Sequence, residues 1–218
     1  MKKFLSLIAL GLIFTAGAHA DDSAGNNYEI TVTNITRGET FTPIMVATHK
    51  AGVSLFTEGS PASPELAILA ESGNTAPLVA VLGANVNVYN VTTIPGRLDP
   101  GKSVTVKVKM DNGFDYVSIA SMLIPTNDGF FALNGVKGPK GKKILTLESP
   151  AYDAGSEPND ELCANIPGPV CRGEGASPFA GGEGFVHIHA GIHGIGNLPA
   201  AERDWRNPVA QITIQRVP

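Results

Sequence analysis

Charge is scarce in this chain. Charged residues make up 17% of it, and the formal net charge is only −4. That balance argues against nucleic acid as the main partner, which calls for a clustered basic face. Beyond residue 20 no run is long and apolar enough to form a membrane helix. Motifs for the common catalytic machineries are missing as well. There is no Gly-x-Ser-x-Gly elbow, no phosphate-cradling Gly-x-x-x-x-Gly-Lys loop and no His-Glu-x-x-His helix. Neighbouring acids such as Asp160-Glu161 carry no specific acid–base signal. Internal repeats, a linker and a second domain are absent too.

What is abundant is turn chemistry, with 25 glycines and 16 prolines in 218 residues. The chain opens Met1-Lys2-Lys3, runs apolar from Phe4 to Ala16, and reaches Ala18-His19-Ala20 before Asp21. A basic start, a short apolar stretch and an Ala-x-Ala site make residues 1–20 a secretory signal peptide in expectation. Cleavage near Ala20 predicts a secreted or periplasmic protein with a single domain over 21–218. Its two cysteines, Cys163 and Cys171, share one loop. An oxidising compartment predicts a disulfide between them, a local staple that contributes roughly 2–3 kcal/mol. A metal-binding thiol pair is the alternative, although the spacing matches none of the usual zinc motifs.

Period-two alternation marks strands. Tyr28–Asn34 alternates, and Ser103–Met110 sets Val104, Val106, Val108 and Met110 against Ser103, Thr105, Lys107 and Lys109. Further strands are expected over Thr40–Ala47, Leu78–Leu82, Asn85–Thr92, Tyr116–Leu123, Phe130–Leu133, Ile144–Leu147, Phe185–Ile188 and Val209–Val217. One short helix is expected from Ser63 to Gly73, with Ser63 as N-cap, Pro64 in the first helical position and glycine as terminator. Many short strands with little helix predict an all-β antiparallel sandwich or barrel. The long loop over 153–183 has the length of a functional one.

Two acidic stretches stand out. Ser121-Met122-Leu123-Ile124-Pro125-Thr126-Asn127-Asp128 and Asp153-Ala154-Gly155-Ser156-Glu157 set carboxylates among small, turn-forming residues, as a hard cation requires. The plainer reading is that these aspartates cap turns. These stretches, with the strand near Tyr28, Ala47-Thr48-His49, Leu55-Phe56 and the Ser63–Gly73 segment, make the chain similar to the spondin N-terminal domain of F-spondin and mindin. The resemblance implies a C2-like antiparallel β-sandwich, a bound calcium ion, and adhesion or matrix recognition instead of catalysis. It implies Asp128, Asp153 and Glu157 as calcium ligands, with Asn127 or backbone carbonyls completing the shell and Asp160 as a weaker candidate. The expected partner is an extracellular or envelope protein or glycan. The chain departs from the animal modules at Gly129-Phe130, where they tend to carry tryptophan, and at Glu157, where aspartate is usual.

A second constellation is Phe185-Val186-His187-Ile188-His189-Ala190-Gly191-Ile192-His193. In an extended strand His187 and His189 would project from one face. With His193 and His49 they are the alternative metal set, suited to zinc or copper in a metal-handling protein or metalloenzyme. The plainer reading turns Val186 and Ile188 inward and leaves the histidines hydrogen-bonded on an outer face. Lys137, Lys140, Lys142 and Lys143 surround Gly138-Pro139 and Gly141. They read either as a solvated hairpin loop or as a contact for anionic glycan or lipid headgroups.

Overall fold

The computed structural model describes residues 26–111, 113–176 and 181–218. The expected signal peptide, residues 1–20, lies outside them. Eleven strands and three helices are described. In chain order they are β1 (Asn26–Asn34), β2 (Thr40–Phe41), β3 (Ile44–His49), α1 (Pro64–Ser72), α2 (Ala76–Gly83), β4 (Val88–Ile94) and β5 (Ser103–Met110). They continue as β6 (Tyr116–Ile124), β7 (Gly129–Lys137), β8 (Ile144–Ser149), β9 (Ala151–Asp153), β10 (His187–Ile188), α3 (Ala200–Arg203) and β11 (Ala210–Val217).

Two antiparallel sheets pack face to face. One runs β5-β1-β11-β8; the other runs β10-β9-β7-β6-β3-β4, with β2 paired to β6. The smaller sheet has one wet face, and its strands alternate accordingly. Ile30, Val32, Val108, Met110, Ile212 and Ile214 turn inward, while Thr31 and Thr105 bond across the outer face at 2.8 Å. The larger sheet is covered on both faces. Val46, Ile119, Leu123 and Phe131 meet the smaller sheet. Met45, Ala47, Ala120, Phe130 and Ala132 meet α1 and α2 through Leu66, Leu69, Leu78 and Leu82. Double coverage explains why β6 is apolar almost throughout and buried from Val117 to Ile124.

Two expectations need correction. Leu78–Leu82 is not a strand: it lies inside α2. A five-residue apolar run suits either element, and the flanks decide. Pro77 occupies the first helical turn, Asn74 Oδ1 accepts the Ala76 N–H at 3.0 Å, and Leu78 and Leu82, one turn apart, are buried. With α3, which was not expected either, the described residues hold three helices where one was expected. Thr40–Ala47 also divides, into β2 and β3, at Pro43, which has no N–H to give a ladder. The Ser63 cap forms as expected: its Oγ accepts the Leu66 N–H at 3.2 Å, and Gly73 closes α1 at φ 68°.

Candidate functional site

Thr126 shapes the turn between β6 and β7. Its hydroxyl donates to the Leu123 carbonyl at 2.6 Å and accepts the Gly129 N–H at 3.0 Å. Asp128 thus comes to rest at the edge where β7 pairs with β9, in register with Gly129 opposite Asp153. The Asp128 carbonyl accepts the Ala154 N–H at 3.2 Å. The segment after Asp153 then wraps the Asp128 side chain. Asp128 Oδ2 accepts the N–H of Ser156 at 2.8 Å, the Ser156 hydroxyl at 3.2 Å and the N–H of Glu157 at 3.1 Å. Asp153 Oδ1 accepts the Gly155 N–H at 2.7 Å, and Oδ2 accepts the Asn159 amide at 2.6 Å.

All three predicted carboxylates are buried here: Asp128 0%, Asp153 0% and Glu157 1% exposed. Asp128 Oδ1 has no hydrogen-bond partner. Burial, together with the nearby Asp153 charge, pushes the Asp128 carboxyl up to about 7 against the pull of the surrounding N–H donors. Burial also raises Asp153, opposed by Asn159, Gly155 and His187. Two buried carboxylates that repel each other, one with a bare oxygen, fit a divalent cation in charge and donor type.

The neighbouring candidates serve other contacts. Asn127 donates to Asp160 Oδ1 at 3.0 Å and accepts the Glu161 N–H at 3.2 Å. Asp160 also accepts from Leu162 N–H and the Asn165 amide. Glu161 is the residue that sequence reading missed. Its buried carboxylate accepts the backbone N–H groups of His193, Gly194 and Ile195, tying two long loops together. An acid beside another in a loop, as Glu161 is beside Asp160, gives no sequence signal of that role. The Cys163–Cys171 disulfide forms, and Ile166 between the two cysteines enters the core.

The histidines part company. His49 bridges the Lys50 carbonyl at 2.8 Å and the Ser118 hydroxyl at 2.9 Å, inside the sheet. β10 is only two residues long, so the one-face expectation for His187 and His189 ends with it. His187 is half-buried beside Asp153 and Glu183, at 3.6 and 3.8 Å. Burial lowers its pKa, but the Ile188 carbonyl and the charges of Asp153, Glu183 and Asp128 outweigh that and hold it above the usual value. His189 is buried against Trp205, its Nδ1 accepting the Gly191 N–H at 3.0 Å, and burial takes it down to about 4. His193 is exposed. Val186 faces inward as the plainer reading had it, whereas Ile188 is 47% exposed. Lys137 pairs with Asp115 at 3.2 Å. The lysine loop joins β7 to β8, which lie in different sheets, so it is a crossover between sheets and not the expected hairpin loop.

The model of the Spondin_N family matches residues 28–157, more than half of the chain. The chain belongs to the Spondin_N family. No curated protein matches it. Both acidic stretches lie inside the family span, which ends at Glu157. Glu161, the disulfide and the histidine segment of this spondin-type chain lie beyond it. So does β11, which fills the place between β1 and β8. Among the described residues no helix is long and apolar enough to cross a membrane.

Proposed function

We propose that the chain is a secreted or periplasmic, non-catalytic binding module. In this reading calcium stabilises the Asp128–Asp153–Glu157 end of the sandwich, and the loops there recognise an extracellular or envelope protein or glycan. Family membership supports the class of function. The observation that carries the cation is Asp128 Oδ1, buried without a partner beside a second buried carboxylate.

A calcium ion held there would supply the positive charge that the two carboxylates lack. The residues do the rest. The β7–β9 ladder fixes the spacing of Asp128 and Asp153, and the N–H groups of Ser156 and Glu157 hold Asp128 Oδ2 so that Oδ1 remains the free donor. Because their ligand oxygens do not all lie within 4.8 Å of one another, Asp128 from one connection and Asp153 and Glu157 from another would have to draw together to share a single centre. That fixes the turn before Phe130 against the long loop after Asp153.

Calorimetric titration of chelator-treated protein with calcium tests this. Heat of binding and a melting temperature that rises with calcium are expected. Absence of both removes the reading.

A further inference from the structure

Asp153, Glu183 and His187 form the one group of three or more potential metal-binding side chains, among the described residues, whose ligand atoms all lie within 4.8 Å of one another. Glu183 and His187 lie outside the span that matches the family. Pairing of β10 with β9 places His187 opposite Asp153 in register.

The tautomer of the neutral imidazole is set by its neighbour. His187 Nδ1 stands 3.1 Å from the Ile188 carbonyl, which can only accept, so Nδ1 carries a hydrogen. In the neutral ring Nε2 therefore presents a lone pair. That nitrogen stands 3.6 Å from Asp153 Oδ1 and 3.8 Å from Glu183 Oε2. With the ring neutral three acceptors face one another, and even for a protonated ring both distances exceed the roughly 2.7–2.9 Å of a charge-assisted hydrogen bond. Ligands bound at about 2.0–2.1 Å to a tetrahedral ion stand about 3.3 Å apart, so the two His187 contacts at 3.6 and 3.8 Å need to shorten only slightly, and the two acids, within 4.8 Å of each other, must close with them. Asn159 orients both acids, donating to Asp153 Oδ2 at 2.6 Å and to Glu183 Oε1 at 3.3 Å. Outer partners of this kind are what hold ligating carboxylates in place.

We propose that Asp153, Glu183 and His187 form a second cation site, beside Asp128, that takes a zinc-class divalent ion through one imidazole nitrogen and two carboxylate oxygens. An imidazole ligand suits zinc, whereas calcium takes oxygens alone. With Glu183 exposed and His187 half-exposed, the site opens to solvent. Three protein ligands leave a tetrahedral ion one position for water or for a side chain of a partner. The proposal does not rest on the calcium reading, although Asp153 belongs to both.

The test is calorimetric titration of untagged, chelator-treated protein with zinc chloride, with cobalt(II) absorption reporting nitrogen and oxygen ligation. One equivalent of zinc is expected. His187→Ala, His187→Gln and Glu183→Gln should each weaken zinc by more than about tenfold, the lower end of what even outer-shell partners cost. Their melting temperatures and calcium response should stay at the parent values, and His193→Ala should bind zinc normally. Two results overturn the proposal. One is no zinc binding, which leaves an imidazolium ion pair only. The other is zinc binding that survives His187→Ala, whether or not Asp128→Asn removes it. Calcium binding without zinc binding would sink this proposal alone, and zinc binding that depends on His187 without calcium binding would sink the calcium reading alone.

Discussion

Gly155 lies so close to Phe185 that a Cβ on the glycine would stand 2.3 Å from the Phe185 carbonyl oxygen. Gly155 also adopts φ 66°, the left-handed region. Both facts follow from one geometry: the chain bends sharply after Asp153 to wrap Asp128, and the stretch leading into β10 crosses directly over the bend. The Gly184 N–H donates to the Gly155 carbonyl at 2.8 Å and closes the crossing. Gly155→Ala should therefore cost more than the roughly 1–2 kcal/mol of a left-handed non-glycine residue, because the crossing backbone must also move. Chemical denaturation measures it, and a loss below about 1 kcal/mol would contradict the crossing.

Asp128→Asn separates structure from cation binding. The asparagine keeps an oxygen for the Ser156 and Glu157 N–H groups and removes the charge that Asp153 opposes. Without calcium the variant should be at least as stable as the parent at neutral pH. With calcium it should lose most of the rise in melting temperature, since the neutral side chain no longer attracts the ion. A calcium response equal to the parent would take Asp128 out of the ligand set.

How much of this was legible depended on whether a local pattern or a distant meeting decided the outcome. Val104 to Met110 alternates because one face of the smaller sheet is wet, and that reads directly from the residues. The largely apolar character of β6, broken only by Ser118 and Ser121 after Tyr116, likewise reveals double coverage. Leu78 to Leu82 misled because five apolar residues satisfy a strand as well as one helical turn over a sheet, and only the Asn74–Pro77 flank distinguishes them. Asp128 and Asp153 could be paired on paper only through the family likeness, for no spacing rule says which loops meet. Glu183 beside His187 and Asp153 was not legible at all. It depends on the β9–β10 register and on the bend at Gly155, both set by tertiary packing.

The disulfide should stabilise the fold without building the acidic site. Its ring closes only residues 163–171, while Asp128 and Asp153 are held by the β7–β9 ladder. The double variant Cys163→Ser/Cys171→Ser should lose about 2–3 kcal/mol by the loop-entropy relation. Its calcium affinity should change by less than about threefold, which is well under 1 kcal/mol. Loss of calcium binding in a folded variant would show that the ring positions the ligands.

Glu39 supplies a pH dependence far from the acidic site. Both of its carboxylate oxygens are buried without a hydrogen-bond partner, and burial raises its pKa well above the usual value despite the opposing charge of Arg203. A carboxyl whose folded pKa exceeds its unfolded one binds its proton more tightly in the native state. Its favourable contribution is complete below the unfolded value and disappears as pH rises through the folded one. Glu39→Gln removes that titration. The variant and parent should be similar in stability near pH 4, and the variant should gain about 1–3 kcal/mol relative to the parent by pH 8, the cost of a buried unsatisfied polar group. Parallel stability curves across that range, measured by urea denaturation in chelator, would mean that Arg203 fully compensates the charge.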